Sequence, residues 1–338
     1  MSQLHQVQRE VINTFEEKMS DHIRSLIGND PDGPVARQFL FSPGESIASP
    51  HDLRDPLGEL THTPGSRLVR KYHNRALLLV TDICAAHCRY CFRRSFTGGG
   101  QSRNDEGGYV GVISEEDLSS AADYLSRNSE IEELLLSGGD PLTVPRLRLD
   151  RIVGTIRRAR PDIILRLCTR LPITDPAKID SDLIRMISSW RPVWVVVQIN
   201  HTTELSPGTR RVIGQLVDSG LPVVSQTVLL DGINDSDSVL AELFEELLRI
   251  RVQPYQLFQG DLVPGTSHLR VPLRRGLSIY QSLRARVSTL ALPVYAVDAP
   301  GGGGKIALTE GSLDRLSSGY FLLEGADGKT YRYPDESR

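Results

Sequence analysis

Three of the four cysteines in this 338-residue chain fall within eight residues, in the segment TDICAAHCRYCFRR (81–94). They are Cys84, Cys88 and Cys91, spaced Cys-x3-Cys-x2-Cys. A structural zinc site takes four ligands, usually as two close pairs. Beside the triplet stands only His87, and the fourth cysteine, Cys168, closes a predicted strand. A catalytic cysteine dyad leaves the third thiol unexplained. Three incidental buried thiols fit poorly with the flanking Arg89, Arg93 and Arg94. Three thiolates do suit a 4Fe–4S cluster with one iron open to a substrate or cofactor, because cluster irons take cysteine sulfur.

A second chemical segment is DAPGGGGKIAL (298–308). It is not a phosphate-cradling P-loop: Ala299 stands where that motif has its first glycine, and Ile306 follows the lysine. A flexible turn with a solvated lysine is the ordinary alternative. Four consecutive glycines also let the backbone approach a ligand closely and let Lys305 reach inward. A lysine amine can hold pyridoxal phosphate as a Schiff base.

The elements that must position these groups are legible as alternating strands and helices. Apolar, β-branched runs recur at 76–80, 133–137, 163–168, 193–199, 223–229 and 254–258, with a seventh at 293–297. Helical patterns lie between most of them, one of them opening with Ser114 and Asp117 as a capping box. Alternation of this kind predicts a parallel sheet, and six units predict an α/β fold with a partial (β/α)6 barrel. Chemistry should then sit just after each strand. The cysteine loop, SGGD (137–140), CTR (168–170), QINH (198–201) and Asp261 all follow predicted strands, and Gln226 lies within the fifth. The expected organisation is an N-terminal helical extension over 1–70, the barrel over 71–292, and a C-terminal lysine segment over 293–338. The last ends in a hairpin that turns near Ala326-Asp327-Gly328 and closes one side of the site.

An apolar fraction of 39%, a charged fraction of 24% and a net charge of −3 describe a globular chain. They give no sign of a nucleic-acid groove or a basic membrane face, so the expected partner is a small molecule. The N-terminal MSQLHQVQREVINTFEEKM reads as a polar amphipathic helix without the apolar core of a signal peptide, and no run reaches the length of a membrane span. Four cysteines make no disulfide framework, so a reducing cytoplasm is expected.

The cysteine spacing, with Tyr90 just before the last thiol, resembles the signature of the radical S-adenosylmethionine (SAM) superfamily. That family holds the amino group of SAM on a Gly-rich stretch after the second strand, here Ser137, Gly138, Gly139 and Asp140. Together with the Gly-rich lysine, the chain resembles the lysine 2,3-aminomutase family, which uses pyridoxal phosphate as well. The resemblance runs from about Lys71 to Lys305 and includes HNRALLLVTDICAAHCRYCFRR, LLLSGGDPL, QTVLLDGIND and VDAPGGGGK.

This resemblance implies a 4Fe–4S cluster on Cys84, Cys88 and Cys91, and a 5′-deoxyadenosyl radical released from SAM. It makes Lys305 the Schiff-base lysine and places Arg75 near the cofactor phosphate. Arg93 would pair with the substrate carboxylate, and Arg170 and Gln226 would belong to the SAM pocket. Asp261 and Asp298 would clamp a distal ammonium, which rejects substrates that lack a distal cation. The implied reaction is radical migration of the α-amino group from C2 to C3, converting L-lysine to L-β-lysine, with a flavodoxin- or ferredoxin-type reductant and a homo-oligomeric assembly. The chain has no cysteine after Cys168, so the structural zinc of the fermentative enzymes is not expected. Tyr90 and Gln198 stand where family histidines are common. Arginine, as a β-arginine precursor in antibiotic biosynthesis, and the β-lysine-forming enzyme of elongation factor P modification are the alternatives; glutamate-specific relatives do not keep both aspartates. From other classes, a non-radical pyridoxal phosphate enzyme with a zinc-stabilised loop and a non-catalytic iron–sulfur module remain open.

Overall fold

The computed structural model describes residues 15–65, 67–97, 111–313, 316–325 and 327–335. Its centre is a nine-stranded sheet with strands in chain order: β1 Leu68–Val69, β2 Arg75–Thr81, β3 Glu133–Gly138, β4 Ile164–Thr169, β5 Val193–Gln198, β6 Val223–Val228, β7 Gln253–Phe258, β8 Val294–Asp298 and β9 Lys305–Ala307. Strands β2 to β8 pair in parallel, while β1 and β9 are antiparallel strands at the two edges. The edges do not pair with each other, so the sheet curls into an open half-barrel of α/β class.

Side-chain alternation separates two faces. On β4, Leu165 and Leu167 are fully buried towards the helices, whereas Arg166 and Cys168 face a central cavity. On β6, Gln226 and Val228 face the same cavity. The outer face packs under crossover helices Glu115–Arg127, Arg146–Ala159, Ser181–Ser189, Pro207–Asp218 and Asp237–Arg249. Leu118, Leu125, Leu149, Ile152, Leu183, Ile213 and Phe244 from these helices join Leu78, Leu134, Leu165 and Val195 of the strands in one hydrophobic core. Four of the five helices start where a side chain caps an orphan amide: Ser114 accepts from Asp117 N, Asp180 from Leu183 N, Ser206 from Thr209 N and Ser236 from Val239 N. Each such cap contributes about 1 kcal/mol.

Helix Leu273–Arg286, between β7 and β8, is not among those expected from the sequence. It opens on Pro272 with no side-chain cap and carries Gly276 in its second turn, so both local signals are weak. The amphipathic helix expected at the N-terminus falls mostly on residues 1–14, outside the described residues. Its last residues are not helical; helix Asp21–Ile27 begins only after the Ser20 cap. The physical reason is tertiary: Phe15 is buried, stacks on His87 at 5.1 Å and lies under the Arg89 and Arg94 guanidinium groups at 4.8 and 4.5 Å.

Residue 292 falls between β7 and β8, which pair with each other, so the lysine segment continues the barrel sheet. A second sheet of three antiparallel strands, β10 Leu316–Ser317, β11 Tyr320–Glu324 and β12 Thr330–Pro334, contains the expected hairpin. Of its turn, Asp327 and Gly328 lie within the described residues and Ala326 does not. Tyr333 ties the hairpin to the end of β7, its hydroxyl donating to Gly260 O at 2.7 Å and accepting from Gln259 Nε2 at 3.0 Å.

Candidate active site

The loops after the parallel strands surround one cavity of about 530 Å³. Every residue given a cluster, cofactor or substrate role from the sequence lines it: Cys84, Cys88 and Cys91, then Arg75, Arg93, Ser137, Gly138, Gly139, Asp140, Arg170, Gln226, Asp261, Asp298 and Lys305. The thiol triplet and the Gly-rich lysine therefore face the same space. Cys168 and Gln198 line it too.

The cysteine loop is fixed by its own arginines. Arg89 and Arg94 both reach Glu45, Arg89 Nη2 at 2.5 Å and Arg94 Nη2 at 2.6 Å, and all three side chains are essentially buried. This triad anchors the loop to the N-terminal extension. Arg93, two residues from Cys91, turns instead into the cavity. Its Nε and Nη2 donate to the two carboxylate oxygens of Glu59 at 3.0 and 2.6 Å, and its Nη1 donates to Ser137 Oγ at 3.2 Å. Burial, and then the neighbouring Cys91, push the Cys84 thiol well above its usual range; burial and Cys88 take Cys91 to about 11. In the protein alone Cys84 and Cys91 are neutral thiols, and ionising this buried pair demands a cation that shares the charge.

Glycine is required after β3 by close backbone approach. A Cβ on Gly138, whose φ is 116°, would lie 2.3 Å from Thr81 O. Amides Gly139 N and Asp140 N donate to Thr81 O and Ile83 O at 2.6 and 2.8 Å, so SGGD is bolted to the start of the cysteine loop. The Asp140 carboxylate is itself saturated, accepting from Thr169 Oγ1 at 2.7 Å, Arg170 N at 2.7 Å and Leu142 N at 3.0 Å.

Across the cavity, the four glycines form the turn between β8 and β9, and antiparallel register sets Asp298 opposite Lys305. Lys305 Nζ lies 3.2 Å from Asp298 Oδ2 and 5.1 Å from the Phe258 ring centroid. Some 38% of the Lys305 side chain stays accessible, so the amine is reachable from the cavity. Burial lowers the Lys305 pKa, but Asp298, Tyr72 and Asp261 more than offset it, and the net shift is upward. Burial and the facing Asp298 carboxylate push Asp261 up to about 7.

Three participants were not apparent from the sequence. Tyr72 accepts a hydrogen bond from Lys305 N at 2.7 Å and carries the Arg75 guanidinium 3.7 Å above its ring. Lys71 is a second ammonium of the cavity, its pKa lowered chiefly by burial. Glu59 arrives in the segment DPLGEL, whose Pro56 O accepts from Gly301 N at 2.9 Å. An acidic residue in an irregular stretch has no periodic signal, and its partners lie far along the chain.

Several features fit absent prosthetic groups. Among the described residues no three histidine, cysteine or acidic side chains converge tightly enough for a single metal ion. A four-iron cluster takes one thiolate per iron, so it needs the three sulfurs on one wall but not in contact. Buried Gln256 Oε1 and Arg170 Nε line the cavity without a hydrogen-bond partner among the described residues, as expected where a polar ligand completes the wall.

Residues 78–244 match the model of the Radical SAM superfamily. The chain is 40% identical over 305 residues to the putative L-lysine 2,3-aminomutase of Treponema pallidum, covering 89% of this chain and 83% of that protein. It is 34% identical over 325 residues to the L-lysine 2,3-aminomutase of Clostridium subterminale, covering 96% and 76%. Similarity to the glutamate 2,3-aminomutase of Clostridioides difficile is 33% over 331 residues, covering 97% and 76%.

Proposed function

The chain belongs to the lysine 2,3-aminomutase family of the radical SAM superfamily, and from that premise we propose that it moves the α-amino group of L-lysine from C2 to C3, giving L-β-lysine, with pyridoxal phosphate on Lys305. An amino acid 2,3-aminomutase of this superfamily is an isomerase that uses a 4Fe–4S cluster, SAM, a reductant and a small substrate. The observation that carries the finer reading is the meeting of Cys84, Cys88 and Cys91 with Lys305, Arg93, Asp261 and Asp298 around one cavity.

When bound, the cluster with SAM supplies a 5′-deoxyadenosyl radical, and pyridoxal phosphate supplies the π-system that lets nitrogen migrate. The chain's own residues do the rest. Lys305 Nζ is paired with Asp298 Oδ2, which holds the amine at the cavity wall where a cofactor aldehyde would meet it; the net upward shift of Lys305 keeps it an ammonium, so it must shed a proton before it can act as a nucleophile. Arg75, held over Tyr72, lies where a phosphate can meet its guanidinium. Arg93 keeps its Nε–Nη2 edge on Glu59 and offers Nη1, beside Ser137, to the substrate carboxylate. Asp261 and Asp298 together favour a distal cation, which supports lysine over glutamate. Leu57, Leu135, Val196, Phe258 and Leu269 line the cavity and limit water around a radical. A one-electron donor of flavodoxin or ferredoxin type and a homo-oligomeric, cytoplasmic enzyme complete the proposal.

The test is anaerobic turnover with reductant, SAM and pyridoxal phosphate, offering lysine, arginine and glutamate in parallel. β-Lysine is the expected product. If arginine alone reacts, the substrate assignment fails while the chemistry stands; if no amino acid is rearranged by a cluster-loaded protein, the proposal falls.

A further inference from the structure

Beneath the cysteine loop lies a buried polar network that the reaction above does not use. Its centre is Arg170, 7% exposed, with Gln38, Asn200 and Glu204 all at 0%. Arg170 Nη2 donates to Gln38 Oε1 at 2.6 Å and to Glu204 Oε1 at 3.2 Å. Gln38 Nε2 donates to Glu204 Oε1 at 2.5 Å, Asn200 Nδ2 to Gln38 Oε1 at 2.9 Å, and Asn200 N to Glu204 Oε2 at 3.1 Å. The guanidinium plane is packed over Phe39 at 4.7 Å and Tyr90 at 5.3 Å. Three separate parts of the chain thus hold one guanidinium still. Its remaining arm, Nη1, donates to Cys88 Sγ at 2.7 Å.

Arginine presents its donors as a rigid planar fork, so fixing Nη2 and both faces also fixes Nη1. A hydrogen bond to a cluster-ligating sulfur withdraws electron density from it and favours the reduced, more negative cluster; hydrogen bonds, net charge and exposure set cluster potentials. Resting on the reading that Cys88 is a cluster ligand, we propose that Arg170 is a positioning residue for that ligand. Its Nη1–H···Sγ bond holds the Cys88 sulfur and raises the reduction potential of the cluster. Glu204 tempers the effect by partly neutralising the guanidinium. Resemblance alone placed Arg170 in the SAM pocket; its hydrogen bonds point to the iron–sulfur side of the cavity.

The test uses the full-length protein reconstituted anaerobically, with the 4Fe–4S couple titrated reductively without SAM and followed by electron paramagnetic resonance. R170K keeps a cation facing Glu204 but loses the second arm of the fork. It is expected to retain wild-type iron content and to titrate at a more negative potential. E204Q keeps Arg170 and removes its counter-charge; it is expected to titrate at a more positive potential, and it decides alone if R170K does not fold. Wild-type potentials in the folded variants overturn the assignment. A wild-type protein that takes up no cluster overturns the ligand reading, and this inference with it.

Discussion

Asp261→Asn separates what the distal carboxylate costs the fold from what it gives the substrate. Asn has nearly the same shape and carries no charge. Burial and Asp298 raise the Asp261 carboxyl from 3.8 to about 7, so between those values the native state binds a proton that the unfolded chain has released. For such a group, stability falls as pH rises from about 4 to about 7. The full rise corresponds to on the order of 4 kcal/mol. At about pH 8 the variant, lacking this penalty, should be more stable than wild type by roughly that amount in the cofactor-free protein. At about pH 5 the advantage should shrink to about 1.5 kcal/mol. Urea unfolding at the two pH values measures both. The same substitution removes a buried charge facing the distal ammonium, a loss of about 2–5 kcal/mol, or about 30-fold to several thousand-fold in kcat/KM for lysine. A stability difference that does not change with pH, or a wild type that is the more stable at about pH 8, would refute the electrostatic account of the clamp.

Replacing Cys84, Cys88 or Cys91 singly by Ala should each lower iron content after anaerobic reconstitution, whereas Cys168→Ala should keep it, because Cys168 lies on β4 outside the loop; iron analysis with absorbance checks this. Lys305→Ala should abolish the visible band that pyridoxal phosphate gives with wild type and leave iron content unchanged. Glu45→Ala strands the Arg89 and Arg94 guanidinium groups without a counter-charge and should cost about 3–5 kcal/mol in urea unfolding. Burial opposes ionisation of Glu45, but the two arginines hold its carboxyl below the usual range, so its contribution is present above about pH 4.5 and is lost on acidification. Gly304→Ala meets a φ of 82° and places Cβ 2.9 Å from the Tyr72 ring, so pyridoxal phosphate affinity should fall by about tenfold or more while the cluster half of the site stays intact.

Residues with a local pattern were legible in the sequence. Cysteine spacing and apolar, β-branched runs located Cys84, Cys88 and Cys91 just after β2 and Gln198 at the end of β5, since in a parallel sheet strand ends and chemistry coincide. Ser114 announced its helix because a cap acts within three residues. What escaped depends on distance along the chain. Glu59 meets Arg93 across 34 residues, Arg170 meets Gln38 across 132, and Glu204 meets Gln38 across 166. No spacing rule spans such separations, and a lone Glu or Gln in irregular sequence is ordinarily a solvated surface residue.

The thiols follow the second strand and the lysine sits on the ninth, so the two reactive halves belong to opposite borders of one curled sheet. Their separation is a property of curvature. That curvature is maintained by leucines, valines and isoleucines packed behind the strands, which never meet a ligand. A side chain trimmed there leaves a void behind the strands, so a residue that touches no ligand is expected to matter to the spacing of the two borders as well as to stability.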